Sequence, residues 1–164
     1  MIKLLVLDVD GCLTDGAIGY TQSGDEIKTF NVKDGLAIAS WIKMGKKVAI
    51  ITGRKSEIVT RRAKELGVTH LCQGIKDKKS ELSRILKEEH LDFNDVAAIG
   101  DDLNDYHLLQ SVALSFTPRD GVAPIQKIVN TVLFHRGGEG AVREMIELIL
   151  QRDGEMQRFL NTWV

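Results

Sequence analysis

Two aspartates stand directly after an apolar run near the beginning of the chain. Residues 4–7 have the pattern of a buried strand of a parallel sheet, and Asp8 and Asp10 lie where that strand should end. Carboxylates so close together repel each other unless a cation lies between them, and oxygen ligands suit Mg²⁺. Gly11 would let the backbone approach such an ion closely. The stretch therefore indicates a divalent metal site, with a pair of solvated turn aspartates as the alternative.

Three further groups of polar side chains are expected on the same edge of a sheet. They are Thr52-Gly53-Arg54 after the apolar run 48–51, Lys76-Asp77-Lys78-Lys79 before a helix, and Gly100 to Asp105 after the apolar run 96–99. The carboxyl ends of parallel strands form one ligand crevice. One hydroxyl, one or two cations and three or four carboxylates are thus predicted to converge there.

These side-chain types suit phosphoryl transfer through an aspartyl phosphate. One carboxylate attacks phosphorus, and Mg²⁺ neutralises the negative charges that would otherwise repel each other. Thr52 and a lysine can hold the remaining phosphate oxygens. A second carboxylic acid can protonate the leaving oxygen and then take a proton from water. The convergence therefore predicts the hydrolysis of a phosphate ester.

The elements that must position these groups alternate along the chain. Apolar runs at 4–7, 48–51, 69–71, 96–99, 112–116 and 131–134 are predicted strands. Amphipathic stripes such as Val59-Ala63-Leu66 indicate helices between them, and Asp34 is the expected N-cap of a helix that ends at Gly45. Strands alternating with helices predict an α/β fold with a central parallel sheet and helices on both faces.

A small hairpin is expected to stand over the crevice in place of a cap domain. Residues 17–31 contain two β-rich pieces separated by Ser23-Gly24-Asp25, and the intervals between the motifs leave no room for an inserted domain. A two-stranded hairpin is not stable alone, and the tail 151–164 is rich in apolar residues. Both features predict association with neighbouring subunits, and the alternative is that hairpin and tail both fold back on their own subunit.

Composition limits the function classes. With 164 residues, 43% of them apolar, the chain 1–164 fits a single domain with a full-sized core. The net charge of −1 gives no reason to expect nucleic acid, and no apolar stretch is long enough to span a membrane. Cys12 and Cys72 do not form a CxxC pair, so they are expected to be reduced thiols in a cytoplasmic protein.

The order of Asp8-Val9-Asp10-Gly11, Thr52-Gly53-Arg54, Lys78 and Gly100-Asp101-Asp102 resembles the haloacid dehalogenase superfamily. The resemblance implies a three-layer Rossmann-like fold of the capless type. It implies that Asp8 is the nucleophile and Asp10 the acid and base. The implied ligands of Mg²⁺ are Asp8, the backbone carbonyl of Asp10, and Asp101.

The same resemblance implies that Thr52 and Lys78 bind phosphate, with Lys76 as a competitor for the lysine's role. Asp105 would be a partner of Lys78 or of the metal's water ligands. Asp102 is either part of the site or only a carboxylate at a helix N-terminus.

Other motifs resemble a narrower family, the phosphatases of 3-deoxy-D-manno-octulosonate 8-phosphate. These motifs are Asn31 to Gly35, Thr52 to Ser56, Gln73-Gly74 and Gly137 to Glu144. The substrate contacts that this resemblance implies are Asn31, Val32, Lys33, Asp34, Gly35, Thr52, Gly53, Arg54, Arg62, Lys78 and Asn104. It also implies a homotetramer and a place in lipopolysaccharide biosynthesis. Capless phosphatases of nine-carbon sugar acids (KDN or sialic acid 9-phosphate) share many of these motifs and are the alternative.

The basic residues after the second motif leave two interpretations open. Arg54, Lys55, Arg61, Arg62 and Lys64 form either a solvated helix face or a site for a second anionic group such as a sugar carboxylate.

Two other classes of protein remain as rivals. A receiver domain would carry its phosphorylated aspartate after a middle strand, where this chain has Thr52. A catalytically silent assembly domain would lack some of the reacting groups, and none of the expected ones is missing. Release of phosphate from small esters separates both from an enzyme.

Overall fold

Six parallel strands form the central sheet in this computed structural model, which describes residues 1–164. In chain order the strands are β1 (Leu4–Leu7), β2 (Gly19–Tyr20), β3 (Glu26–Ile27), β4 (Lys47–Ile51), β5 (His70–Cys72), β6 (Val96–Ile99), β7 (Leu114–Thr117) and β8 (Thr131–Val132). The sheet order is β5-β4-β1-β6-β7-β8, while β2 and β3 pair separately as an antiparallel hairpin. The predicted fold class is confirmed.

Helices cover both faces of this sheet. They are α1 (Val32–Lys43), α2 (Glu57–Leu66), α3 (Lys78–Glu89), α4 (Tyr106–Leu109), α5 (Ala123–Gln126), α6 (Ala141–Asp153) and α7 (Met156–Leu160). Because side chains alternate along β1, Leu5 and Leu7 face the layer of α1, α2, α6 and α7, whereas Leu4 and Val6 face that of α3, α4 and α5. Both layers bury apolar side chains, so β1 is enclosed on its two faces.

The centre of the sheet is also the point where the strand order reverses. Leu7 at the end of β1 is level with Ile50 of β4 on one side and Ile99 of β6 on the other. The chain runs from β1 to β4 and β5, and then crosses to β6 by way of α3. The loops after β1, β4 and β6 therefore meet at one crevice, which is where ligands bind in folds of this kind.

Several local boundaries differ from the sequence prediction. Helix α1 begins at Val32 and its N-cap is Asn31, whose Oδ1 accepts a hydrogen bond from the backbone N–H of Lys33 at 2.8 Å. The prediction that Asp34 is the N-cap is wrong, because the helix begins about one turn before Asp34. The predicted strands 112–116 and 131–134 are shorter or shifted, since they pair only over Leu114–Thr117 and Thr131–Val132.

The hairpin and the C-terminal tail differ in how far they pack on their own chain. Ile18, Tyr20 and Ile27 of the hairpin are all exposed. In the tail, Phe159 is buried in the main core, and Trp163 Nε1 donates to Ser40 Oγ at 2.6 Å. Phe159 therefore follows the alternative, in which the tail folds back on its own subunit. None of the helices has the length and apolar character needed to cross a membrane.

Candidate active site

The four sequence motifs meet at the carboxyl edge of the sheet. Asp8 follows β1, Thr52 follows β4, Asp101 follows β6, and Lys78 is the first residue of α3. A cavity of about 260 Å³ opens at this edge, and its lining residues are Asp8, Asp10, Gly16, Thr52, Gly53, Arg54, Asp101, Asp102 and Asn104. The structure thus brings together the hydroxyl and carboxylates that the sequence placed on one rim.

A tight turn after β1 holds the two motif aspartates. The chain turns between Val9 and Leu13, and Gly11 takes a φ of +89° within it. A Cβ atom on Gly11 would lie 2.0 Å from Oδ2 of Asp101, so only glycine leaves room for that carboxylate. Oγ1 of Thr14 accepts hydrogen bonds from the backbone N–H groups of Gly11 and Gly16, at 3.3 and 3.2 Å. The turn is therefore fixed from within.

Lys78 lies beneath the first aspartate. Its buried Nζ donates to Oδ1 of Asp8 at 2.9 Å and to Oδ1 of Asp105 at 2.6 Å. Burial acts to lower the pKa of Lys78, but the two carboxylates outweigh it and leave that pKa raised. Lys76 is exposed and contacts neither carboxylate. The geometry favours Lys78 over Lys76 for the predicted phosphate-binding role.

Asp105 connects this lysine to the loop after β6. Its Oδ2 accepts hydrogen bonds from the backbone N–H of Asp101 at 3.0 Å and of Asp102 at 3.4 Å. The carboxylate of Asp102 is exposed and accepts from the N–H of Leu103 at 2.7 Å. Asp105 is thus a partner of Lys78, as one alternative of the sequence analysis had it, and Asp102 caps the short turn that follows.

The carboxylates of Asp8 and Asp101 form an acidic pair that fits a divalent cation. Their oxygens and the Sγ of Cys12 all lie within 4.8 Å of one another. Burial and then the charge of Asp105 raise the pKa of Asp8 to about 6, and burial and then the charge of Asp8 raise the pKa of Asp101 to about 8. A cation would remove this mutual repulsion. Oxygen donors favour a hard ion such as Mg²⁺ or Mn²⁺.

One hairpin residue that was not selected from the sequence, Lys28, contacts Asp10, and a second, Glu26, contacts Lys28. Nζ of Lys28 donates to Oδ1 of Asp10 at 2.5 Å and lies 3.1 Å from Oε1 of Glu26. Nε of Arg54 lies 3.9 Å from Oδ2 of Asp10. The alternation of a strand places Lys28 opposite Ile27, but nothing in the sequence shows that the lysine reaches a residue eighteen positions away.

The predicted substrate residues divide into two groups. Gly53, Arg54 and Asn104 line the cavity of the aspartates, together with Thr52. The residues at the start of α1 lie apart from it: Val32 and Lys33 are exposed and Asn31 caps the helix. A second cavity of about 410 Å³ is lined by Lys28, Phe30, Val32, Ile58, Arg61, Arg62 and Glu65. Lys28 lies between the two groups, since it lines the second cavity and contacts Asp10.

Asp34 and Gly35 contact other helices of the fold and not the cavity of the aspartates. Asp34 is buried, and its Oδ1 accepts from the backbone N–H of Arg143 at the start of α6, at 2.8 Å. A Cβ on Gly35 would lie 2.3 Å from Nη2 of Arg62, so this glycine lets the guanidinium pack on the helix. Neither residue lines the cavity of the aspartates.

The Gly137-Gly138 loop packs against the turn after β1. The N–H of Gly138 donates to the carbonyl of Cys12 at 3.1 Å. A Cβ on Gly137 would lie 1.9 Å from the carbonyl oxygen of Gly11, so no other residue fits there without moving the turn. In the sequence these glycines are visible only as part of a family motif. In the structure they pack against the turn that carries Asp10.

Comparison with known proteins agrees with this geometry. Residues 69–145 match the family model of haloacid dehalogenase-like hydrolases. The chain is 41% identical over 155 residues to the 3-deoxy-D-manno-octulosonate 8-phosphate phosphatase KdsC of Escherichia coli K12, covering 94% of this chain and 82% of the relative.

Solved structures give the same result. The 3-deoxy-D-manno-octulosonate 8-phosphate phosphatase of Moraxella catarrhalis, solved with a magnesium ion, a phosphate ion and KDO, has a TM-score of 0.95 at 39% identity, covering 99% of this chain and 94% of that one. The cobalt-bound phosphatase of Haemophilus influenzae has a TM-score of 0.89 at 37% identity, covering 93% of this chain and 90% of that one. On these findings, the chain belongs to the haloacid dehalogenase-like hydrolase family.

Proposed function

We propose that this protein is a phosphoric monoester hydrolase that converts 3-deoxy-D-manno-octulosonate 8-phosphate to KDO and phosphate. The observation that carries the proposal is the position of Asp8, at the base of an open cavity between the ammonium of Lys78 and the carboxylate of Asp101. The relatives that are 37–41% identical along most of the chain and bear this substrate's name support the choice of substrate.

In the first step, a carboxylate oxygen of Asp8 attacks phosphorus while the bond to the sugar oxygen breaks. Lys78 and Thr52 hold phosphate oxygens, and Asp10 gives its proton to the departing oxygen. In the second step, Asp10 takes a proton from the water that releases phosphate from Asp8. The surroundings of the two aspartates differ, because Asp8 is buried beside Lys78, whereas Asp10 is partly exposed beside the hairpin. Such a difference allows one to be a nucleophile and the other an acid.

The proposed cofactor is Mg²⁺, held by Asp8, Asp101 and the backbone carbonyl of Asp10. When bound, the ion supplies positive charge that offsets the carboxylates and the transferred phosphoryl group. The acidic pair supports this assignment, because burial and the charge of Asp8 raise the pKa of Asp101, and a cation between the two carboxylates would offset their repulsion.

Specificity is proposed to come from basic residues at the open edge of the site. No inserted domain covers the cavity, so the sugar must be recognised by residues at its rim. Arg54 lines the cavity and its side chain is 44% exposed, so the guanidinium can bind the sugar carboxylate while it lies beside Asp10 and Glu26. Arg62 lines the neighbouring cavity beside the hairpin.

Residues 1–164 are proposed to act as one domain in a homotetramer. The exposed apolar side chains of the flap hairpin 17–31 would be covered by neighbouring subunits, which would also narrow the entrance of the site. Light scattering tests this part. A fully active monomer would contradict it.

A phosphate-release assay tests the substrate. The purified protein with MgCl₂ is given 3-deoxy-D-manno-octulosonate 8-phosphate, KDN 9-phosphate, sialic acid 9-phosphate and 4-nitrophenyl phosphate, with Asp8→Asn as the inactive control. The proposal expects the highest kcat/KM on the eight-carbon acid. A higher kcat/KM on a nine-carbon acid would keep the reaction and replace the substrate.

A further inference from the structure

We propose that Lys28 is a positioning residue that orients the carboxylate of Asp10 for proton transfer. The β2–β3 hairpin would then be part of the acid–base machinery and not only a cover for the site. This inference rests on the proposed function, in which Asp10 protonates the leaving oxygen of a phosphate ester.

The contact that carries the inference is short and shielded from water. Nζ of Lys28 lies 2.5 Å from Oδ1 of Asp10, and the lysine side chain is only 2% exposed. A lysine is almost never this buried unless its charge is paired. The ammonium therefore has a fixed position, and a carboxylate bonded to it is held in one rotamer.

The two carboxylates that face the ammonium come from different parts of the chain. Asp10 belongs to the turn after β1, and Glu26 begins β3. Oε1 of Glu26 is buried and makes no hydrogen bond, although it lies 3.1 Å from Nζ of Lys28. Glu26 thus acts on the lysine through its charge, while the directed hydrogen bond goes to Asp10.

This arrangement distinguishes the two oxygens of Asp10. Oδ1 accepts from Lys28, whereas Oδ2 has only the guanidinium of Arg54 nearby, at 3.9 Å. Because Asp10 also lines the catalytic cavity, Oδ2 is the oxygen that can exchange a proton with substrate or water. Oδ1 can accept from the lysine whether or not Oδ2 carries a proton.

The proton balance of the step follows from this assignment. The bond between Asp8 and phosphorus forms, the bond between phosphorus and the sugar oxygen breaks, and that oxygen takes the proton from Oδ2 of Asp10. In the second step the oxygen of a water molecule bonds to phosphorus, the bond between Asp8 and phosphorus breaks, and a proton of that water returns to Oδ2 of Asp10. Lys28 neither gains nor loses a proton in either step.

The hairpin is suited to this role because its two faces differ. Ile27, which pairs with Gly19, is exposed, and the next residue points inward to Asp10. Nη2 of Arg54 lies 4.0 Å from Oε2 of Glu26, so a second cation joins the same strand to the loop after β4. A shift of the hairpin would therefore move the group that holds Asp10.

A comparison of leaving groups tests the inference. Protonation by Asp10 matters for a sugar phosphate, whose leaving alkoxide is strongly basic, and hardly matters for 4-nitrophenyl phosphate, which leaves as a stable anion. We expect Lys28→Met to lower kcat/KM by about a hundredfold on the sugar phosphate, as for a displaced catalytic group. On the aryl phosphate we expect a loss of less than about threefold, because proton transfer contributes little there.

Three further variants separate positioning from a merely structural role. Lys28→Arg should recover part of the loss on the sugar phosphate, and Lys87→Met, at an exposed lysine of α3, should match the wild type. Asp10→Asn should show the same selective loss. Because Lys28 would act through Asp10, the double variant should lose no more than Asp10→Asn alone.

Several outcomes would overturn the inference. Equal losses of kcat/KM on both substrates in Lys28→Met would mean that Lys28 binds the phosphoryl group or supports the fold. An unchanged kcat/KM would mean that the contact between Lys28 and Asp10 has no role in catalysis. Additive losses in the double variant would contradict action through Asp10. If the wild type hydrolyses aryl phosphate but not the eight-carbon acid, the substrate proposal fails, and glycerol 3-phosphate then serves as the ester with a basic leaving group. A wild type that hydrolyses no phosphate ester would overturn both proposals.

Discussion

The ammonium of Lys78 lies 2.9 Å from Oδ1 of Asp8, and both groups are buried at the end of the central strand. The lysine also bonds Asp105, which in turn orders the loop that carries Asp101. The same cation therefore faces the proposed nucleophile and, through Asp105, fixes the position of the proposed metal ligand. Catalysis of phosphoryl transfer needs mainly this kind of fixed positive charge.

Replacing Lys78 should remove activity and stability together. Lys78→Met leaves two buried carboxylates without their cation, so we expect a loss of about 3–5 kcal/mol in the free energy of unfolding. We also expect kcat/KM to fall by about a hundredfold or more, as when a donor to the transition state is lost. Denaturant unfolding and phosphate release measure the two effects. Lys76→Met is the matched comparison, and a larger loss of activity there would show that the phosphate-binding lysine is misassigned.

Metal binding should raise the melting temperature through the pair of Asp8 and Asp101. In the metal-free protein these carboxylates repel each other, so Asp101→Asn should melt at a higher temperature than the wild type after chelation. Addition of MgCl₂ should stabilise the wild type, by about 2.7 kcal/mol at a hundredfold excess over Kd, and should not stabilise Asp101→Asn. Asp102→Asn should keep the shift, because Asp102 caps Leu103. Two results would contradict the metal assignment. One is activity that persists after chelation, and the other is a rise in Tm with MgCl₂ that is equally large in Asp101→Asn.

Arg54 should matter for the sugar acid more than for phosphate. Its guanidinium lies at the rim of the cavity and is not bonded to Asp8 or Lys78. We expect Arg54→Ala to lower kcat/KM on 3-deoxy-D-manno-octulosonate 8-phosphate by at least about tenfold, which is the loss of a charged hydrogen bond. On 4-nitrophenyl phosphate the change should be small. Arg152→Ala, at an exposed position of α6, is the control, and equal losses on both substrates would assign Arg54 to the phosphate or to the fold.

Asp34 should make the fold less stable as the pH rises. Burial raises the pKa of Asp34 to about 6, despite its hydrogen bond from Arg143, so the folded protein favours the neutral acid. The contribution of Asp34 to the free energy of unfolding is fully present below the unfolded pKa of about 4 and is lost as the pH passes 6. The free energy of unfolding lost over this range is roughly 3 kcal/mol.

Thermal melts of Asp34→Asn against wild type check this sign. The melting temperature of the variant minus that of the wild type should increase between pH 4 and pH 7. Only the wild type loses stability over this range, because asparagine does not titrate. Glu139→Gln, at an exposed position, is the control for the loss of one carboxylate. A flat difference for Asp34→Asn would mean that the buried carboxylate titrates normally.

The parts of the fold that could be predicted from sequence are those with local signals. The run 48–51 falls within β4, and 4–7 and 96–99 coincide with β1 and β6, because buried parallel strands are continuous apolar runs. The position of the site could then be predicted from the topology, because the residues that follow parallel strands lie at one edge of the sheet. This reasoning placed Asp8, Thr52 and Asp101 in one crevice.

The parts that could not be predicted depend on contacts between distant residues. Asp34 caps a helix 109 positions later, and no turn signal near Asp34 contains that information. Lys28 resembles any hairpin lysine until the hairpin is docked over Asp10. The apolar residues of the tail predicted that it is packed against something, but not whether on a neighbour or on its own chain, and Phe159 lies in the core of its own chain. In each case tertiary packing decided between interpretations that the local sequence left equal.

Trapping of the phosphorylated enzyme tests whether Asp8 is the nucleophile. The protein is mixed with Mg²⁺ and 3-deoxy-D-manno-octulosonate 8-phosphate, quenched in acid within one turnover, and digested for mass spectrometry. We expect one phosphoryl group on the peptide that contains Asp8, with a larger amount in Asp10→Asn and none in Asp8→Asn. Hydrolysis of this substrate by Asp8→Asn at the wild-type rate, or a phosphoryl group on another residue, would contradict it.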